Sequence, residues 1–351
     1  MTDKDGGEIN RLATSQMRKH SVPGMYLIIS NNYKTLYRGC YGFGNMGSGE
    51  KINEDTLVYV ASVTKAFTAL SCAILVGQNK LAWDKPLVNF VPAFETSDKY
   101  ITENATIVDL LSHRTGIAEF ESLGHVDVSR ADLLAELRHS VQLYPFRTAW
   151  LYNNSLYGII GQIAEILSGM PWEAFVREWI LNPLDMKSSD FSFVFDWTNN
   201  NRSKLYVRKE GETERYVPPK AALEQFDAWG PAGSLNISAR DMEKWLLFLL
   251  NRGAYRGKRI VSEENFDVMT NPFCITDMAP EKGREHFSTA CYALGWVSQS
   301  YKGRRVVWHN GSFGSFVSFM PDARLGVAVV ANMDSPLSRD LTYEIYDYLC
   351  K

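Results

Sequence analysis

The alternation of apolar and polar positions predicts a helix and then a β-hairpin at the start of the chain. Residues 9–20 carry apolar positions at helical spacing, and Pro23-Gly24 ends that pattern. Two short apolar runs follow, Met25–Ser30 and Thr35–Tyr41. Asn31-Asn32 between them favours a turn, so the two runs are expected to pair as antiparallel strands.

The middle of the chain is mostly helical in its periodicity. A helix begins near Ser62, and its apolar positions continue to a stop at Gly77. Further helices are predicted over residues 106–111, 129–137, 156–168, 172–180 and 238–251. Residues 190–228 are polar and aromatic without a clear period, which indicates a long loop whose pattern is compatible with one hairpin.

The C-terminal part changes to strands and ends in a helix. Strands are predicted over Leu294–Val297, Arg305–Trp308, Ser315–Met320 and Leu325–Met333, followed by a helix over Leu337–Tyr348. Residues 321–324 form a turn, which predicts an antiparallel hairpin. We therefore expect an α+β fold, in which an antiparallel sheet is flanked by terminal helices. Residues 1–79 and 250–351 would form the sheet domain, and residues 80–249 an inserted helical domain.

Composition narrows the class of protein without identifying it. The 351 residues are 45% hydrophobic and 22% charged, which suffices for a globular core. The net charge of −3 gives no electrostatic footprint for nucleic acid or for an anionic membrane. The start is polar, long apolar runs are missing, and the five cysteines are scattered, so we expect reduced thiols in a cytoplasmic protein.

The segment with the clearest chemistry is Ser62-Val63-Thr64-Lys65, at the start of a predicted helix. Positions i and i+3 of a helix lie on the same face, so the serine hydroxyl and the lysine amine are expected to be neighbours. An amine whose pKa is lowered by burial or by nearby charge can take the proton of the serine oxygen. The tetrad therefore predicts an activated nucleophile.

Two further segments carry polar groups that complement this tetrad. Tyr152 and Asn154 are two residues apart just ahead of a predicted helix, and on an extended segment such residues point the same way. The phenol and the amide are therefore expected to face one cavity. His309-Asn310-Gly311 lies at the end of a predicted strand, where a glycine permits a substrate or another backbone to come close.

In this order, Ser-x-x-Lys, Tyr-x-Asn and His-x-Gly resemble the motifs of the serine β-lactamase and penicillin-binding-protein superfamily, with His-x-Gly in place of Lys-Thr-Gly. The Tyr-x-Asn form points to the class C β-lactamase-like branch, which includes D-amino-acid peptidases, esterases and acyltransferases. Four further segments support the resemblance: residues 110–116, 231–235, 292–296 and 311–316. It implies a β-lactamase/transpeptidase-like fold with its active site between the two domains.

The resemblance also implies a role for each motif residue. Ser62 would be the nucleophile that becomes acylated, and Lys65 would hold or accept its proton. Tyr152 would be the second proton-transfer group, acting as base or relay and later as acid toward the leaving group. Asn154 would bond Lys65 and the polar flank of the substrate.

The third motif departs from the pattern of the family. His309 stands where most relatives have lysine, and a neutral imidazole would hydrogen-bond Tyr152 or the substrate without a fixed positive charge. This weakens the expectation of carboxylate recognition and of efficient β-lactam turnover. Beyond Gly311, the backbone N–H of Ser312 would form the oxyanion hole together with that of Ser62.

Structural interpretations of the same residues stay open at this point. Tyr152 is compatible with a core tyrosine, Asn154 with a cap of the following helix, and His309 with a structural strand histidine. His113 is expected to pack beneath the site. Three aromatic residues are equally compatible with lining the acyl pocket and with core packing: Phe226, Trp229 and Phe313.

The main hypothesis is a serine hydrolase that cleaves a small-molecule ester, or else an amide or lactam, through an acyl-Ser62 intermediate. An acyltransferase that passes the acyl group to a metabolite hydroxyl or amine shares the first half-reaction and stays open. The complete set of Ser62, Lys65 and Tyr152 argues against a non-catalytic binding protein on the same fold. No cofactor is expected, because the remaining histidines lack ligand spacing and the glycines form no phosphate-binding loop.

Overall fold

Antiparallel pairing of strands organises the fold. This computed structural model describes residues 2–120, 128–191, 201–217, 228–278 and 284–350. The described residues contain a nine-stranded sheet made of β1 (Gly24–Asn31), β2 (Thr35–Asn45), β3 (Glu50–Lys51), β10 (Cys274–Ile275), β11 (Cys291–Tyr292), β12 (Val297–Tyr301), β13 (Arg304–Gly311), β14 (Ser315–Met320) and β15 (Leu325–Ala331). Their spatial order is β10-β11-β12-β13-β14-β15-β1-β2-β3, so the first hairpin of the chain joins the C-terminal strands through the β1–β15 pair.

The remaining strands form short antiparallel pairs. They are β4 (Val58–Tyr59) with β7 (Asn236–Ile237), β5 (Tyr206–Lys209) with β6 (Glu212–Arg215), and β8 (Ala254–Tyr255) with β9 (Lys258–Arg259). The β5–β6 pair confirms that the long polar segment contains a hairpin. The β4–β7 pair ties the chain just ahead of Ser62 to the segment at 236–237.

The helices cover the sheet and make up most of the regular structure described between residues 80 and 250. They are α1 (Asp3–His20), α2 (Thr64–Gly77), α3 (Lys99–Asn104), α4 (Ile107–Leu111), α5 (Arg130–Glu136), α6 (Asn154–Ser168), α7 (Trp172–Val176), α8 (Gly230–Gly233), α9 (Ala239–Leu250), α10 (Glu263–Thr270) and α11 (Leu337–Leu349). The α+β class is thereby confirmed, whereas the division into a sheet domain and a helical insert stays a prediction.

The sequence of strand β1 is a continuous apolar run because both of its faces are buried. Successive side chains of a strand point to opposite faces of the sheet. Tyr26 and Ile28 belong to the core on the side of α2 and α9, and Met25, Leu27 and Ile29 to the core on the side of α1 and α11. Because helices cover both faces, both sets are buried, and each fully buried side chain of this size stabilises the fold by about 1.5–3 kcal/mol.

Two element boundaries differ from the prediction for identifiable reasons. Helix α1 begins at Asp3 rather than near residue 9, because Thr2 and Asp5 form a capping box ahead of the two glycines. The strand predicted from Leu294 is wrong in its first part, since residues 293–296 form a turn in which the Ala293 N–H donates to the Trp296 carbonyl at 2.7 Å. Gly295 in that turn has a φ of +72°, and a Cβ there would lie 2.6 Å from the Lys65 carbonyl oxygen.

Candidate active site

Ser62 and Lys65 lie together at the start of α2. A short 3-10 turn over Ala61–Val63 leads into the helix, so the two side chains lie one turn apart on one face. Lys65 Nζ donates a hydrogen bond to Ser62 Oγ at 3.1 Å. The lysine is fully buried, whereas Ser62 is partly exposed.

The backbone ahead of Ser62 is held in a strained conformation. Ala61 has a φ of +47°, a left-handed value that costs a non-glycine residue on the order of 1–3 kcal/mol. The neighbouring Val60 fixes it, because its N–H donates to the Leu235 carbonyl at 3.1 Å and its carbonyl accepts the Ser315 hydroxyl at 2.7 Å. Leu235, just ahead of β7, and Ser315 at the start of β14 thus hold the turn that presents the serine.

The Lys65 amine has three oxygen neighbours. Besides Ser62 Oγ, Nζ donates to Asn154 Oδ1 at 2.7 Å and to the Ala232 carbonyl at 2.9 Å. Nζ also lies 4.7 Å from the ring centroid of Tyr152. Burial lowers the pKa of Lys65 to about 7, and the charge of Glu119 opposes that shift. A substantial fraction of neutral amine is therefore available near neutral pH.

Tyr152 lies on the irregular segment that precedes α6. Burial raises the pKa of its phenol, and a hydrogen bond with Ser62 acts in the opposite direction. His113 fixes the residues on either side of it. The Leu151 N–H donates to the His113 carbonyl at 2.8 Å, and the Asn153 N–H donates to His113 Nδ1 at 3.2 Å. His113 therefore lies against the segment that carries Tyr152 and binds its backbone on both sides of the tyrosine.

Asn154 is the first residue of α6, but its side chain does not cap the helix. The cap is Asn153, whose side-chain oxygen accepts the Leu156 N–H at 2.9 Å. The Asn154 side chain binds Lys65 instead, and its backbone N–H donates to Glu119 Oε1 at 2.8 Å. The Tyr-x-Asn segment therefore brings a phenol and an amide to the same lysine.

His309 lies on β13 and is fully buried. Its Nδ1 lies 2.6 Å from the Asn310 carbonyl, an acceptor, so Nδ1 carries the proton and Nε2 accepts from the Tyr292 hydroxyl at 2.9 Å. Its side-chain partner is thus Tyr292 and not Tyr152, whereas a hydrogen bond to the substrate stays a prediction. Burial, together with the nearby Lys65 charge, lowers the pKa of His309 to about 3, so the imidazole is neutral at physiological pH.

The turn after β13 lies against the backbone ahead of the serine. A Cβ at Gly311 would lie 2.2 Å from the Val60 carbonyl oxygen, so only glycine permits this approach. Ser312 follows in the turn and is exposed.

The three aromatic residues considered for the acyl pocket have different positions. Phe313 packs against Tyr59 and Tyr216, with ring centroids 6.2 Å and 4.9 Å away. Trp229 is half-buried against the main core. Phe226 lies outside the described residues.

Two residues of the site had no motif that pointed to them. Glu119 follows the Leu-Leu-x-His-x-x-Gly segment but shares no periodicity with a catalytic residue. Tyr292 occurs in a segment that supports the resemblance, yet its bond to His309 depends on how β11 packs and not on local spacing. The sequence signal for Tyr292 is its place in residues 292–296, and the sequence carries none for Glu119.

Within the described ranges, no group of three or more His, Cys, Asp or Glu side chains is arranged to hold a metal ion. No helix in the same ranges is both long enough and apolar enough to cross a membrane.

The fold and the site define a class of protein in which a partly exposed serine and a buried lysine begin a helix that packs on an antiparallel sheet. The family model for Beta-lactamase matches residues 9–348. The chain belongs to the Beta-lactamase family, whose members are generally serine hydrolases.

Two curated relatives match nearly the whole chain. The chain is 28% identical over 364 residues to an unguisins hydrolase of Aspergillus campestris, covering 98% of this chain and 65% of the relative. It is 25% identical to protein flp of Staphylococcus aureus, covering 95% of this chain and 64% of the relative. The chain thus spans slightly less than two thirds of the length of these relatives.

Two solved structures share the fold at lower identity. The octameric penicillin-binding protein homologue from Pyrococcus abyssi has a TM-score of 0.81 and 24% identity, covering 98% of this chain and 77% of that one. A class C β-lactamase from Rhodobacter sphaeroides has a TM-score of 0.76 and 20% identity, covering 98% of this chain and 99% of that one. Both likenesses concern the fold.

Proposed function

We propose that this protein is a serine hydrolase that cleaves neutral small-molecule esters through an acyl-Ser62 intermediate. The observation that carries the proposal is the contact set of Lys65. A neutral amine has two N–H groups and one lone pair. Asn154 Oδ1 and the Ala232 carbonyl only accept hydrogen bonds, so they take the two N–H groups, and the lone pair remains for the Ser62 hydroxyl.

Acylation then proceeds with Lys65 as the base. The amine takes the Ser62 proton while Oγ attacks the ester carbonyl carbon, and a C–O bond forms. The negative charge moves to the carbonyl oxygen, for which the backbone N–H groups of Ser62 and Ser312 are the proposed donors. Collapse of this intermediate breaks the bond to the alcohol and leaves an ester on Ser62. Water then attacks the acyl carbon, and its proton passes through Lys65 to Ser62 Oγ as the acyl–Oγ bond breaks. The carboxylic acid leaves, and the free serine is restored.

Tyr152 is assigned the role of proton donor to the departing alcohol. Burial raises the pKa of its phenol, which disfavours a phenolate base and favours a neutral proton donor. The phenol gives its proton to the leaving oxygen, and the Lys65 ammonium returns a proton to the phenolate. The two proton-transfer roles thus fall on different groups. Lys65, with a pKa of about 7, acts as the base, and the neutral phenol of Tyr152 acts as the acid.

The neutral state of His309 in the third motif supports a substrate without a carboxylate on its acyl side. His309 is neutral and fully buried, so it offers no cation where most relatives have lysine. Its ring is already bonded to Tyr292 and to Asn310. An acidic substrate would therefore lose solvation without gaining an ion pair at this position. The hydrolase named among the curated relatives supports water as the acceptor.

The test is covalent labelling of Ser62 by a p-nitrophenyl alkylphosphonate, followed by peptide mass spectrometry. We expect one adduct, on Ser62, and release of one p-nitrophenolate per chain. Ser62→Ala should lose both the adduct and ester turnover, whereas Ser48→Ala, an exposed serine outside the site, should retain both. An unlabelled wild-type Ser62, or an adduct on another residue, overturns the proposal. Product analysis with added alcohols and amines then separates hydrolysis from acyl transfer.

A further inference from the structure

Glu119 contributes a carboxylate to the site without belonging to any of the three motifs. Its Oε1 accepts the Asn154 N–H at 2.8 Å, at the N-terminus of α6, where the helix dipole favours a negative charge. Glu119 is only partly exposed, and among the described residues its second oxygen has no hydrogen-bond partner.

The same contact links Glu119 to Lys65 through one residue. The Asn154 backbone binds the carboxylate, and the Asn154 side-chain oxygen binds the amine at 2.7 Å. The negative charge of Glu119 raises the pKa of Lys65, in opposition to the larger effect of burial. Displacement of this carboxylate would therefore change both the position of Asn154 and the proton affinity of the amine.

The other titratable groups around Lys65 are neutral near pH 7. Burial raises the pKa values of the phenols and lowers those of the imidazoles, and these groups are Tyr152, Tyr157, Tyr292, His113 and His309. Within the described ranges, Glu119 is thus the charged group that acts on the amine.

We propose that Glu119 is a positioning residue of the active site, which holds Asn154 in place and serves as the counter-charge of the Lys65 ammonium. The inference rests on the proposed function, because it takes Lys65 as the base. Glu119 then determines the pH at which Ser62 becomes reactive. A carboxylate that only capped α6 would affect stability and leave that pH unchanged.

The first test is the pH dependence of Ser62 phosphonylation by an uncharged p-nitrophenyl phosphonate in Glu119→Gln. Glutamine keeps an oxygen for the Asn154 N–H but removes the charge. We expect the midpoint of the profile to move to lower pH by about half a unit or more, because the amine loses its counter-charge. The matched control is Asp132→Asn, since Asp132 accepts the Ser129 N–H at 2.8 Å at the start of α5. A Glu119→Gln midpoint equal to that of wild type overturns the inference.

A second test does not depend on activity. Wild type, Glu119→Gln, Lys65→Met and the double variant are unfolded by urea at pH 6 and at pH 9. A counter-charge makes the two substitutions non-additive at pH 6, where the amine is charged, and much less so at pH 9. Additivity at both pH values, or the same non-additivity at both, overturns the inference. If wild type is never labelled at Ser62, the proposed function fails. The double-mutant cycle of unfolding free energies still decides the role of Glu119 in that case.

Discussion

Lys65 Nζ lies closer to Asn154 Oδ1, at 2.7 Å, than to Ser62 Oγ, at 3.1 Å. The shorter contact joins the amine to an oxygen that only accepts hydrogen bonds, so it fixes the direction of one N–H. The direction of the second N–H of the neutral amine then decides whether the lone pair faces Ser62. Asn154 thereby influences proton transfer without exchanging a proton itself.

Asn154→Asp is expected to impair the enzyme by stabilising the wrong protonation state. A carboxylate at that position would favour the ammonium form and raise the pKa of Lys65 by about 1–3 units. The pH profile of Ser62 phosphonylation should move to higher pH by that amount, with little labelling left at pH 7. Asn104→Asp, on α3, is the control and should leave the midpoint in place. A profile of Asn154→Asp that coincides with wild type would contradict the contact.

Wild-type acylation is expected to rise with pH through one ionisation. Lys65 has a pKa of about 7 and must be neutral to act as base, so the rate should be low at pH 5 and reach a plateau above pH 8. His309 has a pKa of about 3 and adds no transition in this range. The measurement is the second-order rate of phosphonylation from pH 5 to pH 9. His309→Gln should keep the midpoint, and a midpoint displaced by a unit or more would show that the imidazole titrates.

The sequence predicts the pair at the start of α2 because that pair depends on local geometry. A helical period places Ser62 and Lys65 on one face, and the structure brings their polar atoms into contact. The resemblance to a known family was needed to connect them with Tyr152 and Asn154. No local rule relates residues so far apart along the chain, because their contact depends on how α6 packs against α2.

The features that sequence reasoning missed are contacts made by tertiary packing. Tyr292 reaches His309 because β11, β12 and β13 are adjacent in the sheet, and Glu119 reaches Asn154 through an irregular segment. The sequence predicts a strand at Gly295, because the apolar neighbours of this glycine match a buried strand pattern. A single sequence gives the apolar pattern of that segment but not the nearby backbone of Lys65, which leaves no room for a side chain at Gly295.

Tyr152→Phe is expected to reveal its role through the leaving group. An alkoxide is strongly basic and needs a proton when it departs, whereas p-nitrophenolate does not. With one acyl group, kcat/KM should fall on the order of 10²–10⁴ for an ethyl ester and less than about tenfold for a p-nitrophenyl ester. Lys65→Met removes the base and should impair both substrates. Equal losses of Tyr152→Phe on the two esters would indicate a general base instead.

His113→Ala is expected to destabilise the segment that carries Tyr152. The substitution leaves the buried Asn153 N–H without its acceptor and opens a cavity, at a cost of about 2–4 kcal/mol. His113→Asn should recover part of this loss, because asparagine offers an oxygen and tolerates the φ of +58° at this position. Urea unfolding at pH 7 measures both effects. His139→Ala, at an exposed histidine, should stay within about 0.5 kcal/mol of wild type, and a similarly small effect at His113 would contradict its positioning role.

Lys65 is also expected to make the free energy of unfolding depend on pH. Its pKa is lowered from 10.5 in the unfolded chain to about 7 in the fold. Between these values the unfolded state binds more protons than the folded state, so stability rises with pH. The penalty is fully present below pH 7 and disappears as pH approaches 10.5; over the whole window it is on the order of 5 kcal/mol. Lys65→Met lacks the group, so its stability relative to wild type should be greatest below pH 7 and should decline as pH rises to 10. Urea unfolding of both proteins across this range measures the difference, and a constant difference would mean that the buried amine does not change its proton affinity on folding.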